Sequence, residues 1–332
     1  MAAMTPFLQI RVHEASQVGE ARRAVARVAA RLGFDETLAG RAALIVTELA
    51  SNLARHARGG RMLVGEGAGG ALELLSLDDG PGMADVSACL RDGYSTGGTP
   101  GTGLGAARRL ADTFSAYSIL GRGSVIYARL GGAPLPGRFH YAGINVAAPG
   151  EQVSGDGWTL RVEGELAALM VADGLGHGPD AAVASDTALQ IFAAAPVDAS
   201  PALTLERAHA GMRATRGAAA SLVALDAQVG RLRYAGAGNI CGRLLSGVED
   251  RSLMSQHGTL GLQVRKTQDI EYAWGEHAVV VVHSDGIVTR WNLDDTPGLL
   301  QCEPAVLCGW LLREHLRGRD DATVVALKRR AR

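Results

Sequence analysis

Two glycine clusters separated by a gap, in the stretch DDGPGMADVSACLRDGYSTGGTPGTGLGAARRL from 78 to 110, restrict this chain more than any other feature. The first, Asp78-Asp79-Gly80-Pro81-Gly82-Met83, follows the apolar run 72–77 and so belongs at the end of a strand. The second, Gly101-Thr102-Gly103-Leu104-Gly105, opens onto Ala106-Ala107-Arg108-Arg109-Leu110, which reads as a helix. Glycines ahead of a helix let bare backbone N–H groups approach an anion, and the helix N-terminus adds partial positive charge. An acidic residue at the strand end can accept a hydrogen bond from a purine amino group. One glycine cluster alone would describe a flexible surface loop equally well.

The sequence upstream narrows the choice. In LIVTELASNLARHA (44–57) the apolar residues recur at helical spacing, and Glu48, Asn52 and Arg55 or His56 share one face. A carboxylate, a carboxamide and a cation in one line suit proton abstraction, Mg²⁺ coordination and phosphate contact; an amphipathic helix with a solvated polar face has the same pattern.

Polar helix, DxGxG turn and GxGxG loop occur here in one order and spacing, and residues 5–130 thereby resemble the GHKL ATPases. Within that group the motif set is similar to the switch kinases and anti-sigma factors of bacterial partner switching, and the phrase Asp92-Gly93-Tyr94-Ser95-Thr96-Gly97 resembles the switch kinases in particular. The resemblance implies a Bergerat α/β two-layer sandwich that binds ATP and Mg²⁺. It implies Glu48 as general base for a substrate hydroxyl, Asn52 as Mg²⁺ ligand and Asp78 as acceptor for the adenine amino group. Gly80 and Gly82 would shape the nucleotide pocket, Gly101, Gly103 and Gly105 the phosphate lid, and Arg55 would contact phosphate. His56 reads as structural.

The 332 residues suggest two domains, and 47% apolar content supplies two cores. A formal charge of −1 offers no basic field for nucleic acid. Cys89, Cys241, Cys302 and Cys308 lack CxxC spacing and read as thiols of a reducing compartment. No apolar run approaches a membrane span and the start lacks a signal pattern, so a cytoplasmic location without membrane attachment is expected.

Strands are expected at 7–12, 61–66, 71–77, 113–120 and 124–130, and helices over 18–32, from about 35 to before 59, and after 105. Gly131-Gly132-Ala133-Pro134-Leu135-Pro136-Gly137 reads as a linker. The expected domains are 1–131, a linker at 132–138, and 139–332. In the second domain strands are expected at 157–162, 166–172, 221–225, 232–235, 241–245, 278–283 and 322–327, with helices at 180–194, 202–214 and 303–316. Such a pattern suggests two sheets packed between helical layers.

Aspartates stand beside glycine or a second aspartate at four strand ends: Asp156, Asp173, Asp285, and Asp320 with Asp321. Each alone is turn chemistry. If they converge, carboxylates about 4 Å apart repel by about 4 kcal/mol per pair at an effective dielectric near 20, which divalent cations would relieve. Oxygen-only ligands favour Mg²⁺ or Mn²⁺.

The phrases VSGDGW, VADGLGHG, AGAGNI, HGTLGL, HSDGI and RDDATVV make residues 139–330 resemble the PP2C-like metal-dependent phosphatases of the SpoIIE and RsbX branch. That resemblance implies an α-β-β-α four-layer sandwich with two Mg²⁺ or Mn²⁺ ions and a metal-bridged water attacking phosphorus. Asp173 would bridge the metals, with Asp156 and the Gly174 carbonyl on one side and Asp285 and Asp320 on the other. His177 ranks as a loop residue before it ranks as a leaving-group acid, and no phosphate-binding cation is assigned.

Two motif sets of opposite chemistry imply a bifunctional α+β regulator, a serine/threonine kinase joined to a phosphatase. By the same resemblance its partner is a STAS-domain protein of the anti-sigma antagonist or stressosome type, with a sigma factor or another regulator downstream. The alternative is an ATP-holding binding module without transfer activity fused to an active phosphatase. A histidine kinase lacks its dimerisation helices here, and a gyrase- or MutL-like enzyme lacks its transducer domain.

Overall fold

The computed structural model describes residues 5–91, 103–134 and 137–330. These form two compact units. One comprises Phe7–Pro134 with Asn292–Arg313; the other takes the described residues of 5–6, 137–291 and 314–330.

The first unit runs β1 (Leu8–Val12), α1 (Ala15–Arg31), α2 (Glu36–His56), β2 (Gly60–Gly67), β3 (Ala71–Asp78), α3 (Val86–Cys89), α4 (Gly103–Leu110), β4 (Thr113–Ile119) and β5 (Gly123–Leu130). Asp35 caps α2, its carboxylate accepting from Leu38 N at 2.7 Å. The sheet is antiparallel throughout, in the order β1-β2-β3-β5-β4. Val25 and Val28 of α1 and Ile45, Leu49 and Leu53 of α2 bury one sheet face through Val12, Met62, Leu72, Leu74 and Ile126.

A two-layer sandwich would leave the other face to solvent, yet every residue of β3 and β5 is buried. Asn292–Arg313 accounts for this: a Cβ at Gly309 would lie 2.9 Å from Leu75 and Val125 side chains and 3.1 Å from Leu77. The expected division at 139–332 therefore differs from the observed grouping at this segment. Its helix, Pro304–His315, is buried from Pro304 to Arg313, so it carries no polar face from which an orientation could be read.

The second unit contains β6 (Phe139–Val146), β7 (Asp156–Glu163), β8 (Leu166–Gly174), α5 (Pro179–Ala193), α6 (Pro201–Gly211), β9 (Ala218–Asp226), β10 (Arg231–Ala237), β11 (Cys241–Leu245), β12 (Asp250–Leu253), β13 (Gly258–Thr259), β14 (Gln263–Val264), β15 (Ile270–Ala273), β16 (Val279–His283) and β17 (Ala322–Arg329). The Pro304–His315 helix, α7, falls between the last two strands. Two five-stranded sheets, β15-β10-β9-β8-β7 and β12-β11-β16-β17-β6, face each other across a core that includes Trp158, Leu169, Val171, Val223, Val280, Val282 and Val325. Alternate residues of β8, Ala168, Met170 and Ala172, face away and pack with Ala184, Phe192, Leu205 and Met212 of the helical layer. Burial on both faces explains why 166–172 reads as a continuous apolar run.

The strands at 139–146, 250–253 and 270–273 have no counterpart among the sequence expectations. Polar His140, Tyr141 and Asn145 interrupt the first, and the other two are four-residue strands at sheet edges. All four cysteines are free thiols, and no helix among the described residues is long and apolar enough to cross a membrane.

Candidate active sites

In the first unit α2 presents Glu48 and Asn52 one turn apart, and the start of α4 comes to meet them. A Cβ at Gly103 would lie 3.1 Å from Glu48 Oε2 and 3.7 Å from Asn52 Oδ1. Glycine there keeps the helix N-terminus, with its unpaired N–H groups, beside the carboxylate and carboxamide. Gly105 is buried one half-turn further into α4, and Gly101 lies outside the described residues.

The DxGxG turn packs further along α2. A Cβ at Gly80 would stand 2.7 Å from the Cα of Ala57, five residues beyond Asn52, or about 7 Å along the helix axis. Gly82 adopts φ +69°, and a Cβ there would be 2.2 Å from the Ile119 carbonyl oxygen. Asp78 is 7% exposed, and its Oδ1 accepts from Gly80 N at 2.9 Å. Burial raises its pKa, opposed by that N–H and by Arg313. Arg55 is exposed in the last turn of α2, and His56 follows it at the surface. Along α2 the unit thus has an acidic, desolvated end at Asp78 and a polar end at Glu48, Asn52 and the start of α4.

In the second unit strand register does the assembling. Asp156 opens β7 directly opposite Asp173 at the end of β8. Antiparallel β16 and β17 place Ser284 and Asp285, which leave β16, beside Asp320 and Asp321, which lead into β17; Ser284 N donates to Thr323 O at 3.0 Å. Ser284 Oγ then donates to Asp156 Oδ2 at 2.6 Å, joining one sheet's aspartate to the other sheet. Burial raises the pKa of Asp173, and Asp156, Asp285 and Asp320 raise it further. Asp156 is raised too, by burial and then by Asp321, against the Ser284 hydroxyl.

All four expected metal-site carboxylates are therefore electrostatic neighbours. Gly174 follows Asp173 at the end of β8, and a Cβ there would sit 2.0 Å from the Ala181 carbonyl oxygen. Asp285 Oδ2 accepts from Asn239 Nδ2 at 2.7 Å, and Asp320 Oδ1 from Asp321 N at 2.9 Å. Asp321 has a different task, accepting from Ala148 N and Gly155 N at 2.8 Å each and so fixing the loop before β7. His177 is exposed, with Nδ1 2.7 Å from Glu151 Oε1. Among the described residues no three His, Cys, Asp or Glu side chains form a finished ligand set. The donor chemistry nonetheless fits a hard divalent cation, because every side-chain donor is a carboxylate oxygen and Asp156 and Asp173 are desolvated among acidic neighbours.

Sequence reasoning missed two features. Arg317 and Arg319 line a pocket with Asp285 and Asp320, and the tripeptide Arg317-Gly318-Arg319 just before Asp320 was the available signal. His283 is fully buried, with Nδ1 2.8 Å from Ser284 O and Nε2 accepting from Trp291 Nε1 at 3.0 Å. These partners assign the proton to Nδ1 of a neutral ring.

Burial pushes the His283 pKa down to about 4. A depressed folded pKa means the unfolded chain binds more protons. The stabilisation is complete above pH 6.5 and is lost as pH falls towards 4, by up to about 3 kcal/mol. Urea unfolding between pH 7 and pH 4 should show this acid loss in the wild type and a smaller one in His283→Gln; equal losses refute it.

A family model described as stage II sporulation protein E (SpoIIE) matches residues 163–330, and one described as a histidine kinase-like ATPase domain matches 12–130. The serine/threonine-protein kinase RsbT of Bacillus subtilis (strain 168) is 33% identical over 122 residues, covering 36% of this chain and 92% of RsbT. Two solved structures share the fold at lower identity. One, described as "The bacterial stressosome: a modular system that has been adapted to control secondary messenger signaling", is 24% identical with a TM-score of 0.54, covering 57% of this chain and 100% of the other. RsbX in complex with magnesium is 21% identical with a TM-score of 0.50, covering 58% and 96%.

Proposed function

The chain belongs to the stage II sporulation protein E family and carries a histidine kinase-like ATPase domain ahead of that family's region, and from this premise we propose a bifunctional partner-switching regulator. Its catalytic modules are 1–131 and 139–332, the second lending Asn292–Arg313 to the first unit. The first phosphorylates serine or threonine on a STAS-type partner, the second removes that phosphate, and a sigma factor or other regulator responds downstream.

The observation that carries the reading is the face-to-face placement of Asp156 and Asp173 in one unit and the meeting of Gly103 with Glu48 and Asn52 in the other. For transfer, Glu48 takes the proton of the substrate hydroxyl and Asn52 holds Mg²⁺. Asp78 accepts from the adenine amino group, while Gly80 and Gly82 bring the backbone close to the base. Gly101, Gly103 and Gly105 carry N–H groups towards the phosphates, and Arg55 adds a cation at the cleft's rim. Positioning and charge neutralisation dominate such transfers.

For release, Asp156, Asp173, the Gly174 carbonyl, Asp285 and Asp320 would hold two Mg²⁺ or Mn²⁺ ions. Bound there, the cations neutralise charge and acidify water. Ser284 keeps Asp156 oriented, and Asn239 does the same for Asp285. Arg317 and Arg319 receive the phosphate oxygens in the fork geometry that guanidinium favours. Changing either to alanine should raise KM about tenfold and leave kcat within about twofold; an unchanged KM removes them from the reading.

The direct test incubates the chain with ATP, Mg²⁺ and candidate STAS proteins, then withdraws ATP and adds Mn²⁺, mapping phosphorylation by mass spectrometry. Phosphate should appear and then leave the same serine or threonine. Binding without transfer would make the first half a binding module. No change in either direction would end the proposal.

A further inference from the structure

The sheet of the first unit owes its second cover to residues that follow β16, far along the chain. Trp310 of α7 meets the Tyr117 ring edge-on, centroids 5.0 Å apart and planes at 83°. Tyr117 OH donates to Pro297 O at 3.2 Å, and Arg61 Nη2 donates to Leu312 O at 3.3 Å. The Arg313 guanidinium lies 4.0 Å from the Trp310 ring centroid, and its side chain is 1% exposed. Its Nη1 donates at 2.6 Å to the backbone carbonyl of Asp78, and its Nε stands 3.7 Å from Asp79 Oδ1. Gly123 makes room for this contact: a Cβ there would lie 2.0 Å from Asp78 O and 2.7 Å from Arg313 Nη1.

A buried guanidinium is costly to desolvate and is retained where its donors meet acceptors. Here the acceptor is the carbonyl of the residue whose side chain closes the acidic end of the cleft. Fixing that carbonyl fixes the peptide plane, and with it the direction in which the Asp78 carboxyl leaves the strand. The positive charge also favours the ionised carboxylate, since Arg313 lowers the Asp78 pKa against burial.

The rest of the chain defines where this segment is inserted. In the second unit Val288 N donates to His315 O at 2.9 Å and Arg317 N to Gly286 O at 2.8 Å. Those bonds close the base of an excursion that leaves after Asp285 and returns before Asp320. Residues between two carboxylates of the second site thus hold the turn of the first.

We propose that Arg313, backed by Trp310, is a positioning residue of the nucleotide site: it sets the Asp78 carboxyl for the adenine amino group from a segment inserted between Asp285 and Asp320. The proposal rests on reading the first half as a nucleotide site. Arg313 acts through Asp78 and does not itself contact the base, so its removal should erode base discrimination more than general affinity.

The experiment uses the full chain and compares Mg²⁺ complexes of ATP and ITP, which lacks the amino group, by calorimetric titration without partner protein. Wild type should prefer ATP by tenfold or more, as expected where a buried acceptor loses its donor. Arg313→Met should lose most of that preference, weakening ATP about tenfold and changing ITP by less than about threefold. Arg313→Lys, which keeps the charge but not the planar fork, should fall between them and serves if the methionine variant does not fold. Equal weakening of ATP and ITP makes Arg313 merely structural and overturns the proposal, as does an unchanged preference in both variants. A wild-type chain that binds neither nucleotide refutes the nucleotide-site reading itself, and the proposal with it; wild-type binding with an intact preference in the variants refutes Arg313 alone.

Discussion

Asp173→Asn should abolish phosphate release, by three orders of magnitude or more, and at the same time raise the melting temperature of the metal-free protein. Both effects have one cause. Asp156 and Asp173 face each other across paired strands, and each has its pKa raised by burial and by acidic neighbours. Carboxylates about 4 Å apart would repel by about 4 kcal/mol at an effective dielectric near 20, and the metal-free site avoids this only by holding a proton taken up at a cost near neutral pH, which a neutral amide removes. A gain of 1–2 kcal/mol would move the melting point by roughly 3–6 °C.

The pH dependence follows from the same pair. With both folded pKa values raised, the folded metal-free protein binds more protons than the unfolded chain. Stability from these groups is full below the ordinary carboxylate range, near pH 4, and falls as pH rises from there through neutrality. Mg²⁺ or Mn²⁺ should restore more stability to wild type than to Asp173→Asn, with the difference growing as pH rises. Scanning calorimetry in EDTA and then in Mn²⁺, together with release from a phosphorylated STAS substrate, checks both limbs. A destabilised metal-free variant, or one that still releases phosphate, contradicts the assignment.

Glu48→Gln should lower phosphoryl transfer from ATP by 10² to 10⁴, the range spanned by loss of a positioned general base, while leaving ATP affinity within about threefold. The amide keeps the length and packing of the side chain beside Gly103 but cannot take up the hydroxyl proton. Asn52→Ala should behave differently, losing Mg²⁺-dependent nucleotide affinity along with transfer. Single-turnover assays with partner present, and titrations without it, separate the two. Full transfer by Glu48→Gln would remove Glu48 from the chemistry, and an equal loss of ATP affinity would make it a binding residue.

Much of the element order was legible because each strand or helix advertises itself over a few residues. Asp35 caps a helix whose apolar spacing is unbroken to Leu53, and β8 is apolar without interruption because both its faces are covered. The motif residues were nameable for a similar reason: Glu48 and Asn52 share the polar face of one helix, and Asp78, Asp156, Asp173, Asp285 and Asp320 each lie at or beside a strand end. The strand Phe139–Val146 was not, since its polar residues hide a period that only pairing with β17 enforces.

Local periodicity and turn chemistry thus determined, from the chain alone, most of the longer strands and helices and which acidic and glycine residues stand at their ends. What α7 packs against, that Asp156 lies opposite Asp173, and that Arg313 reaches the Asp78 carbonyl 235 positions away were decided only by the folded structure. A helix buried on every side has no preferred face in its own sequence, and an aspartate at a strand end specifies no partner until register is set. Those choices belong to long-range packing, whose energy is a property of surfaces meeting and is not written in either surface by itself.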